Sequence, residues 1–542
     1  MMYKFLILDI DCVLCHHWAM LIETADGTAD FDARVLDLPG TLPVILPICR
    51  KLKIAQIIDR LCPMKRGDHL THGQVAEFVV LHILQAEHRL PLYRLEQWAD
   101  RHGMHALYDH EPERFNDDRV RRTLDAIASC IPDIEACVVS QALHSYRIDA
   151  SSLHWDMTHV SFTGAHTDSD IICRGYGAGQ VHEKQVQVSL HVTTDGGIPV
   201  RHETLPGSTN QRPLAPRMLR DLKDRLPTDN LIIVSDRAGI CYENIVDYRR
   251  ANAHFLGPLQ IINPEHRQQL ADVEQEDFQP LQYRSINKPN DAYECYPTQI
   301  RMNRRKGSDP VEVDALFIHS HRLHRDQADT RERHIQSDLR RLAEIDSYLN
   351  KNCYTKAEYA TKQLQKAVRE ELKPIVRYEL SGTDRALSLR YWVDEAARAE
   401  AGHDDGRFIL VYDLPDNPTP DQVFELHRRQ GVIEQRNRNL NSDLTVHPVW
   451  LQDDRRIEAL LLLFVLALIV YTILELCSVR AKLDTEYYHK MTAREMFWIF
   501  GRTRLKQLLV DGKVKQQELL LTTEQTMILQ QLGFPDPISY LQ

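Results

Sequence analysis

Leu153 to Gly164 reads LHWDMTHVSFTG and sets one carboxylate, Asp156, in an apolar, β-prone run. An acid there loses solvation and needs a partner, and a metal ion is one of the few good ones. Downstream, Val188, Leu190 and Val192 alternate within Gln187 to Thr193, Asp195-Gly196 supplies a turn, and Ile198 to Leu205 returns. Alternation across a tight turn predicts three strands in a meander. A helical stretch follows from Leu214 to Leu226. Leu231 to Asp236 (LIIVSD) then reads as a strand buried on both faces that ends in a second acid.

Strand, hairpin, helix, strand is the order of a ribonuclease-H-like core, an α/β fold with a mixed sheet flanked by helices. At 542 residues the chain is long enough for several domains, and 43% hydrophobic with 26% charged residues describes a globular protein with ample core. A net charge of -11 argues against unselective coating of nucleic acid, so DNA contacts must come from local basic patches. Eleven cysteines without repeated spacing suit a reducing cytosol, and Asp9 and Asp11 break the first apolar run, so no signal peptide is expected. Cys12 to His16 matches a CxxCH haem-attachment pattern, but that chemistry occurs outside the cytoplasm and the match is read as chance. Ala459 to Leu474 is too short an apolar run for a membrane span, which needs about twenty residues, and is expected to be a buried core helix.

Residues 1–33 form an uninterpreted extension, and residues 34–148 a helical DNA-binding domain. In it, Thr71 and Gln74 predict a capping box, ahead of a face of Val75, Phe78, Val79, His82 and Ile83, with His82 at the edge. Asn116 caps a second helix, with Val120, Leu124 and Ile127 inward and Arg119, Arg121 and Arg122 on the other side as a possible DNA-contacting face. The core's first part spans 149–256. From 257 to 402 an α+β insertion is expected, with a basic cluster at Arg301, Arg304, Arg305 and Lys306 and a long helical stretch from Asp326 to Leu372. The core resumes over 403–479, and residues 480–542 are expected to be helical. Thr419, Pro420 and Gln422 open a helix on which His427, Gln430, Glu434, Asn437 and Asn441 share one face, beside Leu426 and Ile433. A glutamate among amides and apolar anchors fits a helix pressed against a sheet's active edge.

These residues resemble insertion-sequence transposases of the DDE class, in the group whose last glutamate lies in a Tyr-x2-Arg-x3-Glu-x6-Lys signature. The resemblance runs from about Leu36 to the C-terminus and includes FNDDRV at Phe115 to Val120 and VSDRAG at Val234 to Gly239. It implies Asp156, Asp236 and Glu434 as a metal-binding catalytic triad, with gaps of 80 (236 − 156) and 198 (434 − 236) residues. His427, Gln430 and Asn441 stand where the signature has tyrosine, arginine and lysine. Gln430-Gly431-Val432-Ile433-Glu434 fits the branch with Gln-x-x-Val/Ile-Glu. His427, Arg428, Gln430, Arg436, Arg438 and Asn441 are then expected DNA contacts.

Oxygen ligands suit Mg2+ or Mn2+, and three carboxylates can hold two such ions for strand cleavage and transfer. The implied partners are double-stranded DNA, at the element's inverted-repeat ends and at the target, and a second copy of the chain as a homodimer on that DNA. No membrane is implied, and the expected location is the cytoplasm, with the nucleoid when DNA is bound. The alternatives are a metal nuclease that does not rejoin ends and a decayed transposase that only binds DNA.

Overall fold

The computed structural model describes residues 6–7, 18–24, 27–64, 70–85, 91–162, 164, 166–177, 180–209, 218–226, 228, 230–285, 291–303, 309–444, 451–483, 491–510 and 513–540. The CxxCH stretch, Cys12 to His16, lies outside them. The chain forms two compact bodies, one from residues 1–234 and 429–542, the other from residues 235–428.

The first body opens with β1 (Leu6–Ile7), β2 (Trp18–Thr24) and β3 (Gly27–Pro39), each antiparallel to the next. Seven helices follow: α1 (Leu42–Leu52), α2 (Ile54–Leu61), α3 (His72–Ile83), α4 (Leu95–Arg101), α5 (His105–Tyr108), α6 (Asp117–Ile127) and α7 (Ile131–Tyr146). The expected caps form. Thr71 and Gln74 make a reciprocal capping box on α3, and the Asn116 side chain accepts from Arg119 N at 2.9 Å on α6. His82 is not at an edge. It is fully buried, with its ring edge-on to Trp98 at 4.8 Å.

Next come β4 (Ser152–Ser161), β5 (Cys173–Gly177), β6 (Gln180–Thr193), β7 (Pro199–Pro206), α8 (Leu219–Arg225) and β8 (Ile232–Ser235). The predicted meander holds with one strand added. β6 pairs antiparallel with β4 on one side and with both β5 and β7 on the other, and β8 lies beside β4. Gly196 (φ 82°) and Gly197 (φ 65°) make the β6–β7 turn in the left-handed region that glycine enters without steric cost. Below this sheet, buried Glu135 on α7 accepts from His202 N and Arg201 Nη1, both at 2.8 Å, and Arg201 also pairs with Asp221 of α8 at 2.8 Å.

The second body holds α9 (Tyr242–Arg250), β9 (His254–Pro258), α10 (Pro264–Ala271), β10 (Gln279–Pro280), β11 (Tyr293–Met302), β12 (Val311–Ser320) and α11 (His321–Tyr348). It continues with α12 (Ala357–Ala367), β13 (Val376–Thr383), β14 (Ala386–Val393), α13 (Glu395–Gly402), β15 (Arg407–Asp413) and α14 (Pro420–Arg428). The strand order β10-β11-β12-β15-β9 is antiparallel throughout. Two expectations change here. The sheet continues through β11 and β12, so the segment with its own core starts near residue 321 instead of 257. That core unites Ile335, Leu342, Leu364, Val376 and Leu387. The long helical stretch is also two helices, parted where Asn350 (φ 61°) and Asn352 (φ 49°) take left-handed conformations that a helix does not accommodate.

The chain returns to the first body through α15 (Gly431–Arg438), a π-helical turn (Asn439–Asp443), α16 (Asp454–Arg480), α17 (Ala493–Phe500), β16 (Arg502–Val510), β17 (Lys513–Leu520) and α18 (Thr523–Gln531). α16 is long and apolar enough to cross a membrane, yet its most apolar window is 94% buried against α1, α3, α6, α7 and β7. Two expectations fail in this return. The predicted single helix carrying the candidate glutamate is broken at Arg429 and Gln430. The C-terminal region is not all helix either: Thr503, Leu505, Gln507 and Leu509 are buried at a period of two, which only a strand provides, and β16 pairs antiparallel with β3 and β17. Trp18 to Thr24 and Gly27 to Pro39, which cover the end of the expected extension and the start of the expected helical domain, are therefore strands of one sheet with the C-terminal hairpin.

Candidate active site

His154, Asp156 and Thr158 occupy alternate positions of β4 and so project to one face. The returning helical segment meets that face residue by residue. Gln430 Oε1 lies 3.0 Å from His154 Nδ1, and Gln430 Nε2 donates to Trp155 O at 3.4 Å. Asn437 Nδ2 donates to Asp156 Oδ2 at 2.9 Å, and Asn441 Nδ2 to Thr158 Oγ1 at 2.8 Å. Burial lowers the His154 imidazole to about 4, so it is neutral, and the Gln430 oxygen assigns its proton to Nδ1.

Glu434 shares the helix face of Gln430 and Asn437. It is exposed, and its carboxylate has no hydrogen-bond partner among the described residues. Three residues, about 4.5 Å of helix rise, separate it from the amide that holds Asp156. The other side of α15 fixes that placement. Ile433 is fully buried, and Arg436, only 8% exposed, donates from Nε to Gly197 O (3.1 Å) and from Nη2 to Gly196 O (2.9 Å), with Nη1 on Glu475 (2.5 Å) and Asn439 (3.0 Å). Asn437 Oδ1 and Asn441 Oδ1 are buried and have no hydrogen-bond partner among the described residues. Unpaired hard oxygens beside a half-buried carboxylate are a donor set that an alkaline-earth cation satisfies.

Asp236 lies in the second body, directly after β8. Its Oδ1 accepts from Ala238 N (2.9 Å) and Gly239 N (3.3 Å), capping a short 3-10 turn. Burial pushes its carboxyl above the usual range, and the two backbone donors and Arg237 only partly offset this.

The expected DNA contacts divide. Arg119 is buried and donates to Leu70 O, so it is not on an open face. Arg436 is likewise a buried clamp, its guanidinium bonded to Gly196, Gly197, Asn439 and Glu475. Gln430 and Asn441 are spent on β4, and His427 sits among the rings of Phe408 and Phe424. Arg121 and Arg122 are exposed but share Asp118 (2.5 and 2.6 Å), and Arg301 pairs with Glu312 (3.0 Å). Arg428 is exposed over Tyr283 and Tyr293, and Arg438 is exposed with one bond to Gln435. Arg304, Arg305 and Lys306 lie outside the described residues. Sequence reasoning placed Asn437 on the right face but gave it no role, because only the folded strand shows what it meets.

A family profile described as transposase DDE domain matches residues 148–470, more than half of the chain. A second, described as a domain of unknown function (DUF4277), matches residues 35–133. No curated protein matches. A similar solved chain is that of the cryo-EM structure of a piggyBac transposase synaptic complex with hairpin DNA, at 11% identity over 86% of this chain and 82% of that one, with a TM-score of 0.38.

Proposed function

Because this chain belongs to the transposase DDE domain family, we propose that Asp156, Asp236 and Glu434 hold two Mg2+ ions and carry out strand cleavage and strand transfer at the ends of an insertion sequence. The observation that carries the residue assignment is the Asn437 bond to Asp156, which ties the helix bearing Glu434 to the strand bearing the first acid. Bound Mg2+ would supply an activated water or 3′-hydroxyl and neutralise charge on the scissile phosphate. The chain's own part is positional. Asn437 fixes the Asp156 carboxylate, Arg436 locks the helix against the β6–β7 turn, and Glu434 keeps both oxygens for a cation. Mn2+ would substitute, being a similar acceptor of oxygen ligands.

The Gln430 to Glu434 run fits the Gln-x-x-Val/Ile-Glu branch, and its Gln430 serves in this reading as an anchor to β4. DNA contact falls to the exposed Arg121, Arg122, Arg301, Arg428 and Arg438, together with the Arg304 to Lys306 run. Pairing of two element ends calls for a homodimer on DNA, working in the cytoplasm at the nucleoid.

The test uses DNA carrying the inverted repeats that flank the gene, with Mg2+ or Mn2+. The wild-type protein should nick at the repeat boundary and join the ends to a target. Glu434→Gln and Asp156→Asn should each lose cleavage by more than about a hundredfold while still retarding the DNA. Retained cleavage in either variant removes that residue from the site. Cut ends that never join would identify a nuclease, and wild-type binding without a nick would identify a decayed transposase.

A further inference from the structure

The second body brings a nitrogen-rich donor set together at the end of β11 and β12. Glu294 and His319 are direct cross-strand partners, and His321, two residues on, opens α11. Glu294 Oε2 lies 3.1 Å from His319 Nδ1, and Glu294 Oε1 lies 3.3 Å from His321 Nε2. The three ligand atoms lie within 4.8 Å of one another, and among the described residues they form the one such cluster. Zinc bonds of about 2.0 to 2.2 Å in a tetrahedron place neighbouring donors about 3.3 Å apart, and the two Glu294–histidine separations, each to a different carboxylate oxygen, are of that size.

The surroundings suit such an ion. Gln275 Nε2 donates to Glu294 Oε2 at 2.7 Å, and its Oε1 is held by Arg407 at 3.4 Å, which orients the carboxylate. His319 Nε2, the nitrogen left over, faces His324 Nδ1 at 3.5 Å. His319 is 8% exposed, but His321 is 42% and Glu294 24% exposed, so one side is open for entry and for a water as fourth ligand. We propose that Glu294, His319 and His321 form a Zn2+ site, distinct in residues and in donor chemistry from the acid triad, that clamps the start of α11 to β11. Two imidazoles and a carboxylate select zinc-like ions, whereas three carboxylates select Mg2+.

The test is a titration of untagged, metal-stripped full-length protein with Co2+ in excess Mg2+, followed by visible absorption, with Zn2+ then added as competitor. One equivalent of Co2+ should give tetrahedral bands that Zn2+ abolishes. The same bands should persist in the Asp156→Asn, Glu434→Gln double variant. His321→Ala, at an exposed position, and Glu294→Gln, which keeps the side chain's shape, should each weaken binding by at least about tenfold, with unchanged far-ultraviolet circular dichroism. Zn2+ should raise the Tm of the wild type and not of His321→Ala. Absent bands, bands unaltered by both ligand substitutions, or bands lost only in the double variant would each overturn the site.

Discussion

Asp236 is kept in a half-buried pocket at an electrostatic cost. Its carboxyl titrates above the ordinary range because burial disfavours the charged form. A carboxyl whose folded pKa is raised favours the fold below the unfolded pKa of about 3.9, and that contribution is lost as pH rises through the folded value. Asp236→Asn keeps the acceptor for Ala238 and Gly239 but carries no charge. Metal-free Asp236→Asn should therefore melt above the wild type at pH 7, and the gap should close by about pH 3. Equal melting temperatures at pH 7 would refute the burial argument. The residue itself was legible, since an acid ending an apolar run is costly wherever the strand lies. What separates Arg436 from Arg438 was also present: Ile433, Arg436 and Leu440 recur at three and four, the spacing of a buried face, and all three are buried. A count of basic residues passes over that periodicity.

At the scale of the element, α15 is held by its charge as much as by its apolar side. Arg436 and Glu475 are both largely buried, and the guanidinium also serves two carbonyls of the β6–β7 turn. Arg436→Met keeps much of the stem but strands Glu475, and should cost about 3 to 5 kcal/mol in denaturant unfolding. Adding Glu475→Leu should recover much of that loss, and full additivity of the two substitutions would show that the pair is not coupled. β4, β6 and β7 were readable because strand alternation and a glycine turn are local signals. β16 carries the same signal in Thr503, Leu505, Gln507 and Leu509, but the interleaved Arg504 and Lys506 give the stretch a charge that an exposed helix would also show. Period two in both sets is what a strand with one wet face shows.

For the whole molecule, the least legible feature is the joining of its two ends. β3 finds β16 more than four hundred residues later, and no local pattern names a partner that far along the chain. Deleting residues 502–542 should leave β3, thirteen residues long, as an unpaired edge, and the product should aggregate on size-exclusion chromatography. A monodisperse, folded deletion product would show that the first body closes without β16. The pairing also imposes a schedule on synthesis. At 5 to 20 residues per second, a ribosome takes roughly 25 to 95 s to travel from β3 to β16, and through that interval the strand waits with one side open. A chain slowed or halted late in translation thus exposes a ready β edge, which makes prompt completion of the polypeptide, or a chaperone that covers Gly27 to Pro39 meanwhile, part of what this fold requires.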